Sequence, residues 1–194
     1  MNTMLIKNAQ IGNEILEIHT DEDPIDPRGD DNLGIIVCWH KRYVLGDKHE
    51  FQTPSDFELW LKENKAVVLP IYMYDHSGIS LSTNNGYPFN DRWDAGQVGF
   101  IYVTYETLKD EYSVKRVTGK LVSKARTMLE NEISTYNQFL SGEVYGFNLY
   151  TTENCKCCGH EIKTDKDSCW GFYSIDDILN ELDEKWKKVE WKEP

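Results

Sequence analysis

Three observations predict an α+β protein: an antiparallel-rich sheet, two main C-terminal helices and a small cysteine-rich β-like insertion. Short β-branched and aromatic runs crowd the first 105 residues, runs of helical period follow, and a knot of cysteines lies between the last two helices. A chain of 194 residues with 40% hydrophobic and 12% aromatic content can bury a sizeable core, so residues 1–194 are expected to form a single domain.

The elements are justified in order. EILEIH at 14–19 is a strand too short for its alternation to settle which face is buried. Residues 21–31, DEDPIDPRGDD, hold six carboxylates, one arginine, two prolines and a glycine, which makes them an acidic loop or extended arm. GIIVCWH at 34–40 is apolar and β-branched, a buried strand. Thr53, Pro54 and Asp56 form a helix start, since threonine caps free amides, proline suits the first turn and an acid there complements the dipole. Phe57, Trp60 and Leu61 then face the core.

AVVLPIYMY at 66–74 is a strand in which Pro70, lacking a donor, points to an edge or a bulge. ISLSTNNGYPF after it suggests a hairpin about Asn84, Asn85 and Gly86. QVGFIYVTY at 97–105 is a further strand, with Thr104 capping a short helix. Leu121, Ala125, Met128, Leu129, Tyr136 and Leu140 recur at helical spacing up to a stop at Gly142. The final helix opens on the capping pair Ser174 and Asp177 and is expected to bury Ile175, Ile178, Leu179, Leu182 and Trp186.

The densest chemistry lies in residues 154–173, NCKCCGHEIKTDKDSCWGFY, which hold four of the five cysteines. An odd cysteine count with no secretion signal makes a disulfide framework the weaker reading, and reduced thiols or metal thiolates the stronger. Cys155, Cys158 and Cys169 provide a C-x-x-C pair and a third thiol, with His160 as the fourth ligand and Cys157 as the alternative. Such a set suits a structural zinc, because four protein ligands leave no position for water. A turn of free thiols is the plain alternative. Redox catalysis fits poorly, because a thioredoxin-like pair opens a helix after a strand.

Catalytic candidates are sparse. His40, Asp75 and His76 could supply a base and its orienting acid, with Asp91 or Asp94 as other orienting groups. Asp75, His76 and Ser77 cannot form a triad as a string, because neighbours along a strand point to opposite faces. Between residues 66 and 104 only Asp75, Asp91, Arg92 and Asp94 are charged, and aromatics abound. Those aromatics suit a core first and an interface second, with Tyr87, Phe89 and Trp93 as anchors; base stacking lacks the lysines and arginines that would track phosphates.

A formal charge of −12 disfavours direct nucleic-acid binding over the whole surface. It fits ordinary solubility, or a basic protein partner met by Asp21, Glu22, Asp23, Asp26, Asp30 and Asp31. No run is long and apolar enough to span a membrane, and the N-terminal residues lack the pattern of a leader, so a cytoplasmic location is expected.

With these residues laid out, DNLGIIVCWHKRYVLGD (31–47), LPIYMYDHSGISLST (69–83), WDAGQVGFIYVT (93–104) and DSCWGFY (167–173) resemble the recurring blocks of a family encoded by bacteriophages and mobile elements. The resemblance implies a viral setting and brings no activity or catalytic residue with it. In that setting an acidic, compact protein is expected to be a counter-defence inhibitor of the anti-CRISPR or anti-restriction kind. It would occupy the basic surface of a host protein or ribonucleoprotein complex. The alternatives are a hydrolase or nucleic-acid-modifying enzyme built on His40, Asp75 and His76, and a zinc-stabilised structural or adaptor protein.

Overall fold

The structure, a computed structural model, describes residues 3–29, 31–76, 78–83 and 95–194. Their strands form two antiparallel four-stranded sheets, each with its own helices. The α+β class follows directly. The chain divides into two compact units, Asp26–Ser141 and the discontinuous pair Met1–Ile25 with Gly142–Pro194.

The continuous unit contains β3 (Ile35–Cys38), α1 (Pro54–Glu63), β4 (Ala66–Asp75), β5 (Ile79–Ser82), β6 (Ala95–Thr104), α2 (Tyr105–Glu111) and α3 (Gly119–Ser141), with sheet order β3-β6-β4-β5. Strand alternation sends Val67, Leu69, Ile71 and Met73 of β4 to one face. There they meet the stripe Ala125, Leu129, Ile133 and Tyr136 of α3, spaced to share one side of a helix. Each fully buried large apolar side chain contributes roughly 1.5–3 kcal/mol. Opposite them, Phe57 of α1 packs with Val37 and Tyr102, flanked by Trp39, Trp60 and Phe100. The helix starts where expected: Thr53 accepts from Asp56 N and Asp56 returns a bond to Thr53 N, a complete capping box.

Pro70 lies within a strand that has neighbours on both sides, since β4 stands between β6 and β5. It is tolerated because β5 pairs only residues Tyr72–Asp75, so at Pro70 the strand has one neighbour and is locally an edge. The register shift falls beside it, between Ile71 and Tyr72. The β4–β5 hairpin turns between Asp75 and Ile79. The hairpin expected about Asn84, Asn85 and Gly86 lies outside the described residues.

The discontinuous unit contains β1 (Leu5–Ile11), β2 (Glu14–Thr20), β7 (Tyr145–Asn154), β8 (Glu161–Phe172) and α4 (Ile175–Glu181), with sheet order β1-β2-β7-β8. Gly12, at φ 60°, takes the first place of the two-residue turn between β1 and β2, where a II′ turn requires glycine. Ala9, Leu16, Ile18, Phe147 and Leu149 meet Ile178 and Trp186 in this unit's core. Cysteine-bearing residues 154–173 are thus no small insertion: β8 has twelve residues, is paired to β7 and is exposed except at Phe172.

One helix is shorter than its pattern predicts. α4 is capped by Ser174 accepting from Asp177 N, but it stops at Glu181, and Trp186 is buried from a separate 3₁₀ turn, Glu184–Lys188. In an unbroken helix Trp186 would stand about 80° round from Ile178 and about 12 Å along. The break lets both indoles and aliphatics of this stretch enter one core. Among the described residues no helix is long and apolar enough to cross a membrane.

Candidate metal centre

The β7–β8 hairpin ends in a turn over residues 155–160. The ladder runs to Asn154 opposite Glu161; then Cys155 N donates to His160 O at 2.8 Å and Gly159 N to Cys155 O at 2.8 Å. Gly159 closes the turn at φ 73°, a left-handed conformation that suits glycine. The sequence CKCCGH therefore folds as a tight knuckle.

This knuckle brings three thiols together. The Sγ atoms of Cys155, Cys157 and Cys158 all lie within 4.8 Å of one another, and those of Cys155 and Cys157 are 2.9 Å apart. Cys155 is pulled down to about 7 by the Cys157 thiol first, then by backbone amides of Cys157 and Cys158 directed at its sulfur. Cys157 is correspondingly raised, chiefly by its bond to Cys155. A sulfur that receives several donors is prepared to be a thiolate, the form that binds metal. Two thiolates on a tetrahedral zinc stand about 3.8 Å apart, so Cys155 and Cys157 would have to open slightly, which exposed side chains can do.

The expected ligand set is thus only partly assembled. Cys155 and Cys158 are together, and Cys157 takes the third place. Cys169 pairs opposite Phe147, seven positions down the strand from the Asn154 end. At strand rise that is about 23 Å from the turn. The spacing from Cys158 to Cys169 hides this, because eight of the eleven steps run along the extended β8 instead of folding back. His160 is exposed and stands opposite Cys155, outside the three-thiol group.

The catalytic candidates have structural partners. Asp75 accepts from Arg42 Nη1 at 3.0 Å and from the Tyr43 hydroxyl at 3.2 Å. His40 Nδ1 accepts from the amides of Arg42 and Tyr43 at 3.4 and 3.3 Å, and its ring stacks on Tyr43. The His40 nitrogen that a carboxylate would orient is therefore already occupied by a turn. His76 stacks on Tyr74. Nearby, Cys38, His40, Tyr43, Leu45 and His49 line a cavity of about 500 Å³. Cys38 is no nucleophile there, since burial first and the Asp47 carboxylate second push its thiol up to about 12.

Within the acidic segment, Glu22, Asp23, Asp26 and Asp31 are exposed and Asp21 is half-buried. Two of these carboxylates also shape the chain: Asp21 accepts from Asp23 N and Asp26 from Arg28 N. Asp30, Tyr87, Phe89, Trp93, Asp91, Asp94 and Ser77 lie outside the described residues.

Sequence reasoning missed the segment's most constrained residue. Arg28 lies in the 3₁₀ turn Pro27–Gly29, has a side chain only 6% exposed and binds Asp47 through two nitrogens, at 3.1 and 2.6 Å. It also donates to Glu132 of α3 at 3.1 Å and to Gly34 O at 2.7 Å. Burial lowers its affinity for a proton, but these bonds more than reverse that and hold it above its ordinary value. The available signal was a lone arginine among six carboxylates, a composition that invites ion pairing.

No protein-family profile, curated protein or solved structure matches this chain.

Proposed function

We propose that the chain is a non-catalytic, phage-encoded binding protein of the host-defence-inhibiting kind, which meets the basic surface of a host protein or ribonucleoprotein in the cytoplasm. In this reading the β7–β8 tip is stabilised by zinc. One observation carries it. The residues that an enzyme would need are engaged in holding turns, Asp75 by Arg42 and Tyr43 and His40 by two amides, whereas Glu22, Asp23, Asp26 and Asp31 stand exposed.

Carboxylates in such number steer a basic partner into contact and speed its capture at low salt. The resemblance of residues 31–47, 69–83, 93–104 and 167–173 to blocks of phage and mobile-element proteins is what suggests the setting. Zinc is the metal that the thiol group suits best, since soft thiolates without a carboxylate at the cluster exclude magnesium and calcium.

The test is affinity capture from phage-infected cells at low salt, using the wild-type chain and the variant E22Q/D23N/D26N/D31N. The amides keep the hydrogen bonds that Asp26 accepts and remove only charge. Captured partners should fall at least tenfold with the variant. Equal capture by both proteins would end the charge-steering account. An ester- or phosphodiester-cleaving activity lost in both His40→Ala and His76→Ala, with folding intact, would replace it with an enzyme.

A further inference from the structure

Of the four outer sheet edges among the described residues, three are engaged. On β1, Asn8 and Lys192 exchange amide bonds at 2.9 and 2.8 Å. On β3, Ile36 N donates to Asp47 Oδ2 at 2.7 Å and Ile36 O accepts from Asp47 N at 3.0 Å. On β5, Leu81 N donates to Asn137 Oδ1 of α3 at 2.6 Å. β8 ends its sheet, and among the described residues no strand pairs with its outer edge. Such an edge is a template for another strand.

The regular part of this edge is Glu161–Asp165. There the β7–β8 ladder is unbroken and all five residues are exposed, so nothing lies over either face. Beyond it the register shifts between Leu149 and Tyr150, and Asp167 takes the amide of Ser168 at 2.9 Å. A run of about five residues is an ordinary strand length. Lysines commonly guard an exposed edge. Here Lys163 is turned onto Glu17 at 2.8 Å and Lys166 onto Glu14, so that guard is withdrawn. Glu161 and Asp165 have no ion-pair partner among the described residues.

We infer that residues 161–165 of β8 take an extended segment of the basic partner as an added strand, one that alternates lysine or arginine with β-branched residues. This rests on the binding reading above and adds the surface and the kind of segment it holds. Strand alternation sets the pattern, because Glu161, Lys163 and Asp165 share one face while Ile162 and Thr164 share the other. A strand laid alongside places every second side chain next to the two carboxylates. Its remaining side chains meet Thr164 and Ile162, which is 41% exposed. Opposite charges across a strand pair attract and like charges repel, so basic groups fit the first face and apolar ones the second. Main-chain bonds supply the affinity in this mode of recognition and alternate side chains the specificity. A second copy of this chain is the poorer occupant, since each copy carries −12.

The experiment uses the full chain at low salt and a labelled short peptide of alternating lysine and valine. Binding is read by fluorescence anisotropy, and contact by hydrogen exchange of the chain's amides. The peptide should bind and should slow exchange in residues 161–165. The same peptide N-methylated along one edge keeps its charge but cannot pair, and should bind roughly tenfold weaker or worse. An alternating glutamate–valine peptide should not bind. The variant E161Q/D165N should lose roughly tenfold in affinity for the lysine peptide, with its circular dichroism unchanged.

Equal binding of the N-methylated and unmodified lysine peptides would reduce the contact to charge alone and overturn the added strand. Protection confined to residues outside β8, or full affinity in E161Q/D165N, overturns it as well. Doubling of mass without peptide, followed by sedimentation and lost in E161Q/D165N, would give the edge to a second copy and also sink the proposal. In each of these cases charge-steered capture of a basic partner still stands. If no lysine peptide binds and affinity capture from infected cells also yields no partner, both fail.

Discussion

Arg28 shows how much a single side chain can hold. Its guanidinium ties the end of the acidic segment to Asp47 before α1 and to Glu132 on α3, and Glu132 in turn accepts from the amides of Leu33 and Gly34. Removing one partner of a buried ion network leaves the remaining charges desolvated and unpaired, which costs more than the network itself contributes. Arg28→Ala should therefore destabilise the Asp26–Ser141 unit by about 3–5 kcal/mol, read as a lower urea midpoint by tryptophan fluorescence. Arg28→Lys should recover only part of that loss, because an ammonium cannot reproduce the two-nitrogen bond to Asp47. Equal stability of Arg28→Ala and wild type would show that the network is dispensable.

At the scale of elements, Glu14 joins three of them: β2, on which it lies, β8 through Lys166, and the 3₁₀ turn through Lys185. Lys166 can reach it because the β7–β8 register shifts between Leu149 and Tyr150, leaving Lys166 without a partner across the ladder. The Lys166 and Lys185 bonds hold the Glu14 carboxyl below its ordinary value near 4.5. A depressed carboxyl adds stability that is present above its unfolded pKa and is lost as pH falls through the folded one. Wild type should thus weaken more steeply than Glu14→Gln as pH falls below about 4.5, in thermal melts of the full chain. Parallel curves for the two proteins would contradict this.

Local chemistry made several of these elements legible. Thr53, Thr104 and Ser174 each accept from an amide three residues on, because a cap is satisfied within one turn of chain. β1 and β7 went unseen, although Phe147 and Leu149 alternate with polar neighbours as a half-buried strand should. Their burial depends on partners more than a hundred residues away. The metal candidates were legible by type and not by geometry: spacing found Cys155 and Cys158, but only the ladder shows that Cys169 is carried away from them. His40 and Asp75 carried the right chemistry for catalysis, yet their partners, Tyr43 and two backbone amides, are invisible to composition.

Charge dominates the behaviour of the whole molecule. At −12 the chain repels itself, and raising salt from low to physiological should increase its melting temperature by screening that repulsion. A melting temperature that falls over this range would instead show that the ion pairs of Arg28 and Glu14 outweigh it. The acidic balance spares the cysteine turn: residues 153–163 carry two carboxylates and two ammoniums, so the place where three thiols gather is locally neutral.

The discontinuous unit also dictates an order of events. β2 pairs with β7, and Thr20 is joined to Tyr145 across 125 positions of sequence. At synthesis rates of about 5–20 residues per second, the β1–β2 hairpin waits roughly 6–25 s for the strand that completes its sheet. During that interval the unit 26–141 has emerged whole and can fold first, while β2 displays a naked hydrogen-bonding edge. The two carboxylates of that strand, Glu14 and Glu17, later take lysines from β8. Before those lysines arrive, they are the charges that keep a nascent edge from finding the wrong chain.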